Sequence, residues 1–145
     1  MTAKGYCAYD SNVKAKANSL VSGKKTTLEK ARAIFNYIRD NIEYEFYSNT
    51  RYKATGTYAN RRGNCCDQAN LVVSMCRAVK IPARYSHAQG CRFSSGVYGH
   101  VWAQILVGDT WYAADPTGRE NSLGVIKNWN YHSFKNLKQY TLLPF

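Results

Sequence analysis

Apolar positions recur at helical spacing in three stretches of the first eighty residues. Over residues 10–22, "DSNVKAKANSLVS", Val13, Ala17, Leu20 and Val21 fall on one side, and Gly23 supplies a stop. A second stretch opens with Thr26 three residues before Glu29, a capping-box pattern, and carries Leu28, Ala31, Ile34, Phe35, Ile38 and Ile42 on one face. A third helix is predicted from Cys65 to Val79, with Asn64 as its N-cap and Ala69, Val72, Val73, Cys76 and Val79 as its apolar face. Pro82 lies just beyond its end, where a proline is tolerated. Between Tyr44 and Arg62 the periodicity fades into Tyr, Asn, Thr, Gly and basic residues, which reads as a long surface loop.

After Pro82 the period changes to that of strands. "ARYSHA", "GHVWAQILV" and "TWYAAD" are rich in β-branched and aromatic residues, and Gly108-Asp109 between the last two suits a type II′ hairpin. Helices first and an antiparallel sheet second is an α+β order. The tail from Gly118 to Phe145 reads as loop with one further strand near Tyr140 to Leu143. A chain of 145 residues, 45% hydrophobic, suits one domain over 1–145 with one core.

Charge and cysteine content narrow the function classes. The net charge of +11 favours a polyanionic partner, but the basic residues are scattered and no nucleic-acid recognition motif accompanies them. No apolar run approaches the length of a membrane span, and "MTAKGYCAYD" has no leader-like apolar stretch, so the expectation is a chain made in the cytoplasm. Five cysteines at 7, 65, 66, 76 and 91 form no disulfide framework, and at least one is expected to be a free thiol.

The thiolate is the reactive form of cysteine, and a helix N-terminus favours it through unpaired N–H groups and the dipole. Cys65 occupies that first helical position; Cys66, turned by about 100°, must have another role. Cys7, Cys76 and Cys91 read as structural thiols. A nucleophilic cysteine needs a base and the base an orienting group. If Val107 faces Thr110 across the hairpin, Trp102 faces Asp115, His100 projects from the same face, and Asp115 is its diagonal neighbour. Taken singly, Cys65 suits a core thiol, His100 a strand histidine and Asp115 a strand end before Pro116. Their joint placement points to chemistry. A metal site on Cys65, Cys66, His87, Cys91 and His100 has no CxxC or HxxxH spacing behind it.

"ARAIFNYIRDNIEYEFY", "RRGNCCDQANLVVSMCRAVKIPARY" and "YGHVWAQILVGDTWYAADPT" resemble, in that order, the transglutaminase-like cysteine hydrolase superfamily. The resemblance implies a papain-like core of helices packed on an antiparallel sheet, with Cys65 as nucleophile, His100 as base and Asp115 as orienting acid. "GNCCDQANL", "CRFSSGVYGHVW" and "NSLGVIKNW" look most like the archaeal and archaeal-virus pseudomurein endoisopeptidases. That likeness implies a monomeric enzyme cutting isopeptide crosslinks of the methanogen wall, acting as a viral or prophage lysin or as an excised domain of a larger wall enzyme. The acidic sugars and glutamate of pseudomurein would be the polyanion; neither nucleic acid nor membrane is expected as partner. The expected oxyanion donors are the Cys65 backbone N–H and Asn60 or Tyr58, with Arg92 and Tyr98 of the mobile loop "CRFSSGVYG" against the substrate. No cofactor is needed for this chemistry, and no calcium-loop pattern is present, although loop aspartates and asparagines could bind calcium weakly. A transglutaminase joining the acyl group to an amine, and a non-catalytic wall-binding domain, are the alternatives.

Overall fold

The structure is a computed structural model and describes residues 5–145; the first four residues of the segment searched for a leader lie outside them. After a 3₁₀ turn at Gly5–Cys7, the chain forms α1 (Ser11–Val21), α2 (Thr27–Asn41), β1 (Glu43–Tyr44), α3 (Lys53–Asn60), β2 (Arg62–Gly63) and α4 (Cys65–Ala78). The sheet strands follow: β3 (Ala83–Phe93), β4 (Gly96–Val107), β5 (Thr110–Ala114), β6 (Trp129–Asn130) and β7 (Lys135–Tyr140). No described helix is long and apolar enough to cross a membrane.

Helices α1 and α2 begin where capping chemistry places them. The Asp10 carboxylate accepts from the Val13 N–H, and Thr26 and Glu29 close the reciprocal capping box. Ala31, Ile34, Phe35 and Ile38 of α2 are fully buried, each large side chain contributing about 1.5–3 kcal/mol. The apolar period runs on to Ile42, but the helix ends at Asn41, because Glu43 and Tyr44 turn extended and pair in parallel with Arg62 and Gly63.

The sequence shows one face of α4 as apolar, yet every residue from Cys66 to Ala78 is buried. The helix runs through the middle of the molecule, and its polar residues serve as internal fasteners. Asn70 accepts from the Tyr85 hydroxyl at 2.6 Å, Gln68 donates to the Gly63 carbonyl at 3.0 Å, and Arg77 donates to the Ala83 and Thr141 carbonyls.

Two expectations are corrected. The segment 44–62 is not a loop throughout but contains α3, and its helical signal is weak for a physical reason. "KATGTYAN" has poor helix formers, and no side chain of its own caps it. The cap comes instead from α4: the buried Asp67 carboxylate accepts from the backbone N–H groups of Arg51, Tyr52 and Lys53 at 2.9–3.0 Å. The last strand, β7, ends at Tyr140, where the expected one begins. Its side chains are almost all exposed, so no alternation betrays it, and it is held by backbone pairing to β3.

The five-stranded sheet has the order β5-β4-β3-β6, with β7 also pairing β3. The β4–β5 hairpin turns at Gly108-Asp109; Val107 pairs Thr110 and Ala103 pairs Ala114, the register the sequence predicts. Gly108 takes φ +62°, which a type II′ turn requires at its first central position. Tyr85, Val101, Ala103 and Ile105 pack in the main core with the helices. A second cluster gathers Trp102, Ala88, Cys91 and Ala113 with Trp129, flanked by Tyr131 and Phe134. The register of β3 against β4 shifts between Ala88 and Cys91, immediately beyond the pairing of Ala88 with His100, a bulge beside the site of interest.

Candidate active site

Cys65 is the first residue of α4. Asn64 caps the helix by accepting from the Asp67 N–H at 2.9 Å, and its own amide donates to the carbonyls of Tyr47 and Asn49. The residue that opens the helix therefore also fastens the facing loop. Gly63, paired with Tyr44, must be glycine: a Cβ there would stand 2.9 Å from Asp67 Cβ and 3.1 Å from Thr57 Cγ2.

The structure brings Cys65 together with His100 and Asp115. His100 Nε2 lies 2.7 Å from Asp115 Oδ2, which leaves Nδ1 available to Cys65 on the same cleft wall. Asp115 is held from every side. Oδ1 accepts from the Thr117 N–H at 3.1 Å and hydroxyl at 2.6 Å, Oδ2 accepts also from Trp129 Nε1 at 2.8 Å, and Asn121 donates to its carbonyl. Asp115 and His100 are buried, at 1% and 5% exposure, while the Cys65 side chain is half-buried and open to the cleft.

These contacts set the charges. The Cys66 thiol, as hydrogen-bond donor, draws the Cys65 thiol well below its ordinary value against the cost of burial, and the hydrogen bond and charge of His100 add to that effect. Burial alone would push His100 down; the Asp115 charge and hydrogen bond, with Cys65, outweigh it and raise the imidazole to about 10. Burial disfavours the Asp115 carboxylate, but His100, Thr117 and Trp129 hold it below the usual range. The arrangement is a thiolate–imidazolium pair at neutral pH with a carboxylate behind it, able to attack a carbonyl carbon and return a proton to a leaving group.

The cleft at Cys65 holds about 630 Å³ and is lined by Tyr44, Phe46, Phe93, Tyr98 and Phe145 among others, with no Lys, Arg, Asp or Glu in its wall. Tyr98 is on this wall; Arg92 is exposed and outside it. The stretch "CRFSSGVYG" is a tight β3–β4 hairpin rather than a loop, tied by the Tyr98 hydroxyl donating to the Ser95 carbonyl. Asn60 and Tyr58 stand away from the cleft: the Asn60 amide donates to the Gly56 carbonyl, and Tyr58 packs on Tyr37 under Arg61. Cys66, Cys76 and Cys91 are buried free thiols, and the buried Cys7 sulfur accepts from Arg77 at 3.4 Å. Among the described residues no group of three or more His, Cys, Asp or Glu converges as a metal site.

Residues that sequence reasoning passed over are Tyr44, Asp67, Asn121 and Trp129. Tyr44 carried a signal in the alternation of "IEYEFY"; Asn121 and Trp129 sit in a tail with no periodicity. Residues 14–116 match the family model of the transglutaminase-like superfamily. The chain belongs to that superfamily. Its α+β fold is the transglutaminase-like one, helices against a curled antiparallel sheet. Human kyphoscoliosis peptidase is 28% identical over 127 residues, covering 75% of this chain, and the mouse protein 30% over 122 residues, covering 72%. The chain spans about a fifth of the length of these relatives, 19% and 18%. Two solved structures share the fold. A candidate cysteine protease from Cytophaga hutchinsonii has a TM-score of 0.70 at 24% identity, covering 95% of this chain and 52% of that one. The periplasmic domain of TgpA from Pseudomonas aeruginosa has 0.60 at 18% identity, covering 77% and 47%.

Proposed function

We propose that the chain is a cysteine peptidase that cleaves isopeptide crosslinks in the pseudomurein wall of methanogens through an acyl-enzyme. The observation that carries the chemistry is that Cys65 and His100 line one cleft, with His100 Nε2 2.7 Å from the buried Asp115 carboxylate. Cys65 Sγ attacks the amide carbonyl, and the imidazolium gives its proton to the departing lysine-type amine. Water then gives a proton to His100 as it attacks the thioester, and the acid leaves with Cys65 restored. Asp115 keeps the ring oriented throughout.

The oxyanion has two donors in this reading. One is the Cys65 N–H, which has no intrahelical acceptor in the first turn. The other is the Tyr44 phenol in place of Asn60 or Tyr58, since Tyr44 lines the cleft beside Cys65. Partial burial, followed by the charge of Cys65, raises it to about 12, so it stays a donor at working pH. A cleft wall open to solvent, with Phe46 at 83% and Tyr98 at 46% exposure, favours water over an amine as acyl acceptor and hence hydrolysis over crosslinking.

Support for the wall as substrate comes from the resemblance of "GNCCDQANL" and "NSLGVIKNW" to the archaeal wall enzymes and from the charge of +11. That charge lies outside the cleft wall, where it suits long-range attraction to an acidic polymer rather than recognition at the scissile bond. The kyphoscoliosis peptidase name supports the peptidase class. The test is release of peptide amines from purified pseudomurein by the wild-type chain, Cys65→Ala and Cys66→Ala. Release by all but Cys65→Ala is expected. Incorporation of a labelled amine without release would replace the reading with transglutamination, and inertness of Cys65 to alkylation near neutral pH would replace it with a binding domain.

A further inference from the structure

Asp115 Oδ2 takes two hydrogen bonds, from His100 Nε2 at 2.7 Å and from Trp129 Nε1 at 2.8 Å. Trp129 is 4% exposed, its ring centroid lies 5.4 Å from that of His100, and it comes from β6, a two-residue strand paired to Arg92 and Phe93 of β3. The strand therefore delivers an indole N–H to the carboxylate oxygen that holds the catalytic imidazole. We propose that Trp129 is a positioning residue of this centre, whose N–H fixes Asp115 Oδ2 against His100 and limits the carboxylate's hold on the imidazolium proton. The inference rests on Cys65, His100 and Asp115 acting together as above.

The physical argument concerns how one oxygen shares its charge. A carboxylate oxygen that accepts a second, uncharged donor spreads less negative charge toward the first. Without the indole N–H, Asp115 binds the imidazolium more strongly, and His100 becomes a weaker acid toward a leaving amine. The carboxylate also loses its third anchor beyond Thr117 and can turn about its Cβ–Cγ bond. The titratable groups facing the pair are Cys65 from α4, His87 and Cys91 from β3, Tyr44 from β1, Tyr98 from β4, and Tyr131 after β6. None is Asp, Glu, Lys or Arg, so the indole N–H is the polar group through which β6 acts on Asp115.

Trp129→Phe keeps an aromatic ring at the position and removes the N–H together with part of the indole's bulk, whereas 5-fluorotryptophan changes the donor strength at nearly constant shape. The experiment is an NMR titration of the His100 ring carbons in a Cys65→Ala background, where loss of the thiolate brings the transition to lower pH. The three histidines make assignment direct. Trp129→Phe is expected to move the His100 transition up by about one pH unit. In the otherwise native chain it should lower kcat about tenfold with KM unchanged. If the variant does not fold, 5-fluorotryptophan at position 129, a stronger donor of nearly the same shape, must move the transition down. An unmoved transition in a folded variant overturns the proposal, because shielding or packing alone leaves the carboxylate's basicity untouched. Failure of Cys65 to alkylate rapidly in the wild-type chain would instead overturn the triad itself, whatever His100 does.

Discussion

Asp67→Asn is the substitution whose cost follows most directly from the structure. The Asp67 carboxylate is fully buried and accepts on Oδ2 from the Tyr47 hydroxyl and the Arg51 and Tyr52 N–H groups, and on Oδ1 from the Lys53 N–H and the Asn70 amide. An asparagine of the same shape keeps one acceptor oxygen. Placed to retain Tyr47, Arg51 and Tyr52, it points its own NH₂ at Lys53 N–H and Asn70, so donors face donors. Hydrogen bonds to a charged group contribute about 1.5–3 kcal/mol each, and a buried donor left unmade costs a similar amount. The expected loss is about 3–5 kcal/mol, against a total of about 5–15 kcal/mol for a domain. Urea unfolding followed by circular dichroism measures it through the shift in midpoint at constant slope. A loss below about 1 kcal/mol would refute the claim that this carboxylate caps α3 and pins the 47–53 segment.

Four further outcomes follow from the site. Alkylation of Cys65 should rise with pH at values well below the ordinary thiol range, and Cys66→Ala should move that rise upward while keeping activity, because the neighbouring donor is lost; rates with iodoacetamide against pH check both. Tyr44→Phe should lower kcat by about 10²-fold at unchanged KM if the phenol holds the oxyanion, measured on a model isopeptide. Gly63→Ala should destabilise the fold, since the added methyl meets Asp67 Cβ at 2.9 Å and neither backbone can retreat, and thermal unfolding reads the loss. Stability should also depend on His100. Its folded value, raised to about 10 from 6.5, gives a contribution fully present below pH 6.5 and lost as pH rises through about 10, so His100→Gln should flatten that alkaline decline in denaturant midpoints.

What the sequence disclosed and what it hid divide along a physical line. Helices α1, α2 and α4 announce themselves through local chemistry: a cap, a capping box, a run of apolar residues on one face. The β4–β5 register was legible because a Gly108 turn fixes the pairing, and pairing fixes which residues share a face. That is why the neighbourhood of His100 and Asp115 could be inferred before any coordinates. Helix α3, strand β7 and the Trp129 and Asn121 contacts were hidden, because each is held by contacts outside the helical and strand repeats, whether across the fold or within an irregular loop. Asn121, for instance, donates to the Asp115 carbonyl and accepts from the Lys127 N–H, bonds that no periodicity encodes. The oxyanion donors the sequence suggests lie just before the nucleophile, whereas the proposed donor, Tyr44, reaches the cleft through parallel pairing of β1 with β2, a contact between segments that no local pattern encodes.

The borrowed cap of α3 also bears on how the molecule assembles. Eight residues without a cap of their own cannot persist as an isolated helix, since even good sequences need about 12–15. Helix α3 is therefore expected to form after α4 has presented Asp67, which φ-values near zero for Ala54 and Thr57 would show. The same dependence predicts that the stretch from Tyr47 to Asn60 opens as one cooperative unit, with its amides exchanging before those of α4. Since Tyr47 and Asn49 are tied to the Asn64 cap beside Cys65, each such opening unfastens one wall of the cleft. Hydrogen exchange at Arg51, Tyr52 and Lys53 would then report how often the nucleophile is left without its surroundings.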